Sequence, residues 1–181
     1  MKRRIWSFIG AAAIVGIAVP AFVETPDRLI WNVTPSAPLG LYQLHPVTQL
    51  AVSDLVALEA PETVKALLAE RGYLPPNVPL LKHVVGVPGQ TVCRIGPIIT
   101  VDGAVMGTAQ NNDSFGRPMP VWEGCERIAA DELFLMNSDV ENSLDGRYFG
   151  PIPSSSITGL AVPLWTDEDG TGRYRWRARS P

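Results

Sequence analysis

The chain has few of the side chains from which metal sites are built. It contains two cysteines and two histidines in 181 residues, and no Cys-x-x-Cys pair. A structural zinc site needs four ligands at short spacings, so we expect no metal and no other cofactor. A charge excess of one sign is also missing, because 15 basic and 18 acidic residues leave a net charge of −3. Nucleic-acid-binding proteins usually carry a basic excess, so we expect no nucleic-acid partner.

Long apolar runs are absent except for one at the N-terminus. Residues 5–22 contain no charged side chain and directly follow the basic cluster at residues 2–4. The run is longer than most signal-peptide cores, and no small-x-small cleavage site follows it. We therefore favour a retained transmembrane anchor over residues 1–23, with a cleaved signal peptide and a buried core helix as the alternatives. The basic cluster would stay inside, which places residues 24–181 outside the cytoplasm.

Long helices are also scarce, because 16 glycines and 17 prolines interrupt the chain. One soluble helix is predicted over residues 61–72, where apolar residues recur at helical spacing between a proline and a glycine. β-Branched runs between turn signals predict strands in a mainly β domain. The predicted strand segments are 54–60, 80–92 (strand, turn, strand), 96–107 (a hairpin), 131–138 and 156–165. Residues 108–127 and 139–153 are predicted to be irregular loops, the first of them exposed.

Two further features leave alternatives open. Cys93 and Cys125 can form one disulfide in an exported domain, or can remain reduced in the core. Residues 173–181 alternate arginine with aromatic or small residues. Such a segment is an exposed edge strand, a frayed tail, or a basic-aromatic contact with a membrane surface.

A serine and a lysine are the best candidates for chemistry. In "NVTPSAPLGLY" (32–42), two prolines flank Ser36 and restrict the backbone on both sides, so we expect Ser36 to be held extended. A serine needs a base, and the candidates include Lys82, His45 and His83. Lys82 lies among Leu and Val on a predicted strand, where burial would lower its pKa and make the neutral amine a general base. The alternative is that Lys82 only reaches solvent from a strand edge.

Three segments resemble the conserved boxes of the signal peptidase I family of serine–lysine proteases. "LLKHVVGVPGQTV" (80–92) resembles the lysine box, in which a strand lysine precedes a Gly-x-Pro-Gly turn. "LFLMNSDVENSLDGRYFG" (133–150) resembles the third box without gaps, and "TPSAP" (34–38) resembles the serine box. The boxes occur in the family's order behind an apolar segment. The resemblance implies a signal-peptidase-like β-barrel or coiled-sheet domain.

Two departures from the usual family pattern point to a specialised branch. The usual Gly-Ser-Met of the serine box is Pro-Ser-Ala here (35–37). The usual Gly-Asp-Asn-Arg at the start of the third box is Asn-Ser-Asp-Val (137–140). The stretch "NVTPSAPLGLY" is instead similar to the box of the TraF-type conjugative transfer peptidases.

The resemblance implies a role for each matching residue. Ser36 would attack a peptide carbonyl to form an acyl-enzyme, and Lys82 would be its general base. Ser143 would orient the lysine amine, while Thr34 would help the Ser36 N–H to form an oxyanion hole. Three further residues match the family pattern: Asp145, as a residue needed for activity, and Arg147 and Pro38, as supporting residues.

The role of Asp145 stays open at this stage. It matches a position needed for activity in the TraF-type branch, and it is predicted as a catalytic residue on that ground. Arg147 is two residues away and of opposite charge. The two side chains can therefore also form an ion pair that only holds the Ser143 loop, because structural ion pairs occur beside active sites as well.

These roles imply a serine endopeptidase anchored in a bacterial inner membrane, with its catalytic domain in the periplasm. Its partner would be an exported protein at the membrane surface. For the TraF-type branch this implies a conjugative pilin precursor, matured by tail removal with or without cyclisation. One alternative is a general signal peptidase I that removes secretory signal peptides. The other is a non-catalytic periplasmic scaffold of a conjugation or secretion apparatus.

Overall fold

The computed structural model describes residues 29–75 and 78–177. The predicted anchor, residues 1–23, lies outside these ranges. No helix within the described part of the chain is long and apolar enough to cross a membrane. Strands predominate, which confirms the mainly β prediction, but two short helices are present where the sequence predicted one.

Twelve strands in the described ranges form two antiparallel sheets. In chain order they are β1 (Leu29–Asn32), β2 (Leu39–His45), β3 (Leu55–Leu58), β4 (Leu80–Gly86), β5 (Thr91–Ile95), β6 (Ile98–Val101), β7 (Ala104–Thr108), β8 (Gly124–Arg127), β9 (Glu132–Met136), β10 (Ile152–Pro153), β11 (Ile157–Asp167) and β12 (Arg175–Trp176). The large sheet has the order β1-β2-β11-β3-β4-β9-β10, with β12 paired to β11. The small sheet has the order β7-β6-β5-β8.

A disulfide crosses the small sheet. Cys93 on β5 lies directly opposite Cys125 on β8 in the strand register, and their sulfur atoms are bonded. Of the two states that the sequence left open for these cysteines, the structure therefore has the oxidised one. The bond closes a sequence separation of 32 residues and fixes the edge strand β8 to the sheet.

Two buried apolar clusters position the site. Helix α1 (Glu62–Glu70) starts after Pro61 and packs Val64 and Leu68 onto the large sheet, against Leu58 and Leu80 among others. A second cluster fills the space where β9 meets the small sheet. Its buried members are Val92, Ile99, Val101, Ile128, Phe134 and Met136. The helix predicted over residues 61–72 is thus confirmed, with one residue fewer at its start and two fewer at its end.

The two segments predicted as loops are more ordered than the sequence indicated. Residues 108–127 contain β8, and Ala109 and Met119 are buried rather than exposed. Residues 139–153 contain helix α2 (Gly146–Phe149) and β10. Gly146 lets α2 approach β9 closely, because an added Cβ would lie 2.6 Å from the Phe134 ring. Neither segment has a periodic apolar pattern, so this packing could not be predicted from the sequence.

Candidate active site

Ser36 lies in a turn between β1 and β2, and the side chain of Asn32 closes that turn. The Asn32 amide nitrogen donates hydrogen bonds to the carbonyls of Thr34, Ala37 and Pro38 at 2.9, 2.9 and 3.1 Å. Its Oδ1 accepts the Thr34 backbone N–H at 3.0 Å and the Thr34 hydroxyl at 2.9 Å. The sequence did not point to Asn32, because its only visible feature was an Asn-x-Thr glycosylation pattern.

The prediction of an extended Ser36 is wrong. Residues 35 and 36 form the central part of a turn, although Pro35 and Pro38 stiffen the chain as expected. The buried Tyr42 on β2 adds a further restraint by donating its hydroxyl to the Pro38 carbonyl at 2.7 Å. Side-chain hydrogen bonds from two strands therefore hold the turn, which the prolines alone could not specify.

Lys82 is buried in β4 with only 3% of its surface exposed. Its Nζ donates a hydrogen bond of 2.7 Å to the Ser143 hydroxyl, which is the contact that the family resemblance implied. Burial lowers the pKa of Lys82 to about 8, and the nearby Arg147 adds to this effect while Asp145 opposes it. The amine is thus both oriented and available in its neutral form near neutral pH, and Lys82 does not reach solvent from a strand edge.

A cavity of about 290 Å³ brings four of the predicted residues together. Thr34, Ser36, Lys82 and Ser143 all line it, and the hydroxyl oxygens of Thr34 and Ser36 are 3.4 Å apart. Most of the remaining wall is apolar, and its leucines and methionine are Leu68, Leu74, Leu80, Met119 and Leu144. The cavity therefore presents a hydroxyl and a low-pKa amine beside an apolar surface.

A second cavity of about 310 Å³ also has Ser36 in its wall. Its wall includes His83 and Asn137, together with three carboxylate side chains, which are Asp139, Asp167 and Glu168. Ser36 lines both cavities. It therefore lies where the two cavities meet, and the carboxylates and His83 distinguish the second cavity from the first.

Asp145 and Arg147 form a buried ion pair behind the cavities. Two guanidinium nitrogens of Arg147 donate to the Asp145 carboxylate at 2.9 Å each, and both side chains are at most 1% exposed. Arg147 also donates to the carbonyls of Asn137 and Val140. Neither charged residue lines a cavity. The ion pair that the sequence left open for these two residues is therefore present, and the catalytic role of Asp145 stays a prediction.

Asn137 is a second site residue that the sequence did not indicate. It follows β9 directly, and its side-chain amide contacts the backbone of both Ser36 and Leu81. The one unusual feature at this position was that an asparagine stands where the resembling family usually has a glycine. An asparagine at the end of a strand otherwise reads as a loop residue, so no local pattern could have identified these long-range contacts.

Asp113 ties the 108–127 segment to the end of α1 above the first cavity. Its carboxylate accepts hydrogen bonds from the Tyr73 hydroxyl and, at 2.7 Å, from Arg117 Nε. It lies 3.7 Å from a guanidinium nitrogen of Arg71. Although burial raises the pKa of Asp113, the bonds from Tyr73 and Arg117 hold it well below its usual range. Asp113 and Tyr73 both line the cavity, so this cluster builds its outer wall.

The geometry agrees with comparisons to known proteins. Residues 1–165 match the family model described as "Signal peptidase, peptidase S26". A conjugal transfer protein TraF from Agrobacterium fabrum is 35% identical over 179 residues, covering 91% of this chain and 97% of its own. A probable conjugal transfer protein TraF from Sinorhizobium fredii is 37% identical over 145 residues, covering 75% and 76%.

Similarity to signal peptidase I itself is more limited. The enzyme from Leptolyngbya laminosa is 30% identical over 86 residues, which is 48% of this chain and 40% of its own. A solved signal peptidase I from Enterococcus faecalis covers 64% of this chain at 17% identity, with a TM-score of 0.39, and adds nothing to the assignment. The resemblance read from the three boxes is confirmed: the chain belongs to the signal peptidase family, peptidase S26, and is a relative of the TraF conjugal transfer proteins.

Proposed function

We propose that this protein is a serine endopeptidase that cleaves exported proteins through an acyl-enzyme on Ser36, with Lys82 as general base. One observation carries the proposal. Lys82 is buried, its pKa is lowered to about 8, and Ser143 orients its amine in the cavity that Ser36 lines. A scaffold without activity has no use for a buried amine, whose ammonium form is disfavoured by its surroundings.

Acylation would begin when the neutral Lys82 amine takes the Ser36 hydroxyl proton. Ser36 Oγ would then attack the scissile carbonyl to form a tetrahedral oxyanion. The Ser36 backbone N–H would be a donor for that oxyanion, and the loss of one such donor raises the barrier by about 2.7–4 kcal/mol. The Lys82 ammonium would return the proton to the leaving amine as the C–N bond breaks, which leaves an acyl-enzyme and a neutral amine.

Thr34 needs one change before it can act in the oxyanion hole. Its hydroxyl proton is directed to Asn32 Oδ1 in the structure. The hydroxyl would therefore have to rotate away from Asn32 when an oxyanion forms, a small motion about one side-chain torsion. The assignment of Thr34 as an oxyanion donor accordingly depends on that exchange of acceptors.

The substrate would cross Ser36 in an extended conformation. Strand β1 is paired only with β2 in the described part of the sheet, and it leads directly into the Ser36 turn. A substrate strand could add to its free edge, where main-chain hydrogen bonds provide affinity and pockets provide specificity. Side chains on one side of the scissile bond would enter the apolar cavity, which favours small apolar residues there.

We assign the substrate class from the relatives, which are named as conjugal or plasmid transfer proteins. A conjugative pilin precursor is the exported protein that such a peptidase would mature, by removing a C-terminal tail. Water would resolve the acyl-enzyme to give a linear product. The pilin's own N-terminal amine would resolve it to give a cyclic one, if the site excludes water and holds that amine close.

An exposed aromatic patch supports a location at the inner-membrane surface, with the catalytic domain in the periplasm. Trp31, Trp165 and Trp176 are 49%, 44% and 65% exposed. Tyr174 stacks on Trp31 and contacts Trp165 in a tilted arrangement. Exposed arginines alternate with the aromatic residues at positions 173, 175 and 177. Tryptophan and arginine are typical of membrane interfaces, and the apolar run ends at residue 22, shortly before β1.

The proposal is tested by expressing the chain together with the pilin precursor of its own transfer system and measuring the intact mass of the pilin. Wild type should shorten the precursor, whereas Ser36→Ala and Lys82→Met should leave it intact. Ser155→Ala, which changes an exposed serine of a one-turn 3-10 helix outside both cavities, should process it normally.

The product mass also separates the two ways of resolving the acyl-enzyme. A product lighter than the trimmed chain by one water indicates cyclisation, and the plain trimmed mass indicates hydrolysis. Normal processing by Ser36→Ala would end the serine–lysine mechanism. If wild type removes secretory signal peptides but leaves the pilin precursor unchanged, the substrate assignment is wrong while the chemistry stands.

A further inference from the structure

We propose that Asn137 is a positioning residue that fixes the nucleophile turn to the lysine strand, so that the Ser36 hydroxyl stays in reach of the Lys82 amine. This proposal rests on the proposed function, because it concerns the geometry of that serine–lysine pair. Nothing in the resemblance implies such a role.

The amide nitrogen of Asn137 uses both of its protons to join the two segments. It donates one hydrogen bond of 2.5 Å to the Ser36 carbonyl and another of 3.0 Å to the Leu81 carbonyl. Leu81 immediately precedes Lys82 in β4. A single amino group therefore connects the backbone of the proposed nucleophile to the backbone beside the proposed base.

The other atoms of Asn137 hold that amino group in place. Its Oδ1 accepts the His83 backbone N–H at 3.2 Å and also lies 3.2 Å from His83 Nδ1. Its own backbone N–H donates to the Asp145 carboxylate at 3.1 Å, and its carbonyl accepts from Arg147 at 3.0 Å. The residue is only 3% exposed. Every polar atom of Asn137 is thus engaged, which fixes the direction of the amide.

The sheet by itself does not provide this connection. In the strand order β1-β2-β11-β3-β4, two strands separate β2, which follows the Ser36 turn, from β4, which carries Lys82. The bonds from Asn32 and Tyr42 set the shape of the turn, but they lie within residues 32–42 and do not reach β4. Apolar packing also brings the turn and β4 together, since Ala37 and Leu81 belong to one buried cluster. The directional contacts of Asn137 then fix the position of the turn relative to Lys82.

The ion pair of Asp145 and Arg147 supports Asn137 from behind. Both residues contact the backbone of Asn137 rather than a cavity. They hold the end of β9 where the Asn137 side chain can reach the two carbonyls. Because proton transfer requires hydrogen-bond distance between donor and acceptor, a misplacement of about 1 Å at the turn reduces turnover by about 100-fold.

The proximity of position 36 to the Lys82 amine can be tested without a substrate. Both native cysteines are joined in the disulfide, so Ser36→Cys introduces one free thiol at the site. The rate of alkylation by iodoacetamide, measured against pH, gives the pKa of that thiol. Beside the Lys82 ammonium it should fall below the ordinary value of about 8.5, and Lys82→Met in the same background should restore it.

In the Ser36→Cys background, we expect Asn137→Ala to raise the thiol pKa by at least half as much as Lys82→Met raises it. Asn137→Gly tests the same point with the residue usual in the resembling family, in case the alanine variant does not fold. Gln90→Ala is the matched control, because the Gln90 amide also bridges two groups, Val87 and Asp102, but Gln90 lines neither cavity. It should leave the thiol pKa unchanged.

Three outcomes decide the matter. A thiol pKa that rises with the Asn137 variants and not with Gln90→Ala supports the positioning role. A thiol pKa that stays low in folded Asn137 variants, while Lys82→Met raises it, overturns that role and leaves the proposed function intact. If Lys82→Met also leaves it unchanged, the serine–lysine pairing itself is overturned. In the Ser36 protein, the supporting result should coincide with a fall in kcat of about 10- to 100-fold at unchanged KM.

Discussion

Replacing Lys82 by methionine should stabilise the folded protein while abolishing peptide cleavage. Methionine is unbranched and of similar length, and it carries no charge. At pH 7 the wild-type protein must either bury an ammonium group or give up its proton. The gap between a folded-state pKa of about 8 and the usual 10.5 corresponds to a free-energy penalty of about 3 kcal/mol. The methionine variant avoids this penalty, and only the Ser143 hydrogen bond of about 1 kcal/mol opposes the gain.

The pH dependence of this difference provides the sharper test. The unfolded chain binds more protons at Lys82 than the folded one between pH 8 and 10.5, so wild-type stability rises with pH in that window. The methionine variant lacks this rise. The variant should therefore be more stable by about 2–3 kcal/mol below pH 8. This advantage should be lost by about pH 10, where the Ser143 hydrogen bond favours the wild type.

Denaturant unfolding of both proteins at pH 7 and near pH 10 measures this difference directly, because other titrating groups cancel between them. Lys65→Met is the matched control. Hydrogen bonds from Lys65 to Glu59 and Glu62 raise the pKa of Lys65, so its removal should not stabilise the protein. A Lys82→Met variant that is less stable than wild type at pH 7, or a difference that does not change with pH, would refute the reasoning from burial.

Four other predictions follow from the site and the fold. The rate of cleavage should rise with pH, with its midpoint near pH 8, because the Lys82 amine loses its proton there. A rate that does not change between pH 6 and 9 would contradict the assignment of Lys82 as the base. Asp145→Asn should lower the free energy of unfolding by about 3–5 kcal/mol, because it leaves the buried Arg147 without its carboxylate; denaturant titration tests this, and a loss below about 1 kcal/mol would contradict it. Replacing Cys93 and Cys125 together by serine should lower stability by about 3–4 kcal/mol, from a loop of 32 residues, with normal cleavage under conditions where the variant stays folded. Asp113→Asn should raise KM and leave the pH midpoint of cleavage unchanged, since Asp113 holds the outer cavity wall rather than the base; an altered midpoint would refute that division.

The sequence predicted the parts of the site that are encoded locally. Lys82 could be found because it interrupts an apolar β-branched run, and alternation along a strand carries it towards the core. Ser36 could be found because its prolines and the family boxes mark it. Ser143 followed from the spacing within the third box. The strand segments and helix α1 were also readable, since each depends on periodicity and on turn residues close by in the chain.

The parts that the sequence did not predict depend on contacts between distant segments. Asn32 and Asn137 are ordinary polar residues in any local window, and their importance lies in the carbonyls that the fold brings to them. The packing of residues 108–127 against α1 depends on Asp113 meeting side chains some 40 residues away along the chain. Proline constraints alone indicated an extended Ser36, because they do not encode the hydrogen bonds that bend the chain there.

The position of Ser36 in the walls of two cavities has a kinetic consequence for the proposed reaction. After the scissile bond breaks, the fragment that leaves and the fragment that stays attached would occupy different cavities beside the serine. The departing piece can therefore diffuse away without the retained piece releasing its pocket. The next acceptor, whether water or an amine, would approach through the vacated side. Product release and acceptor entry would then share one path, so a slowly departing tail would inhibit the second half of the reaction by competing with the acceptor.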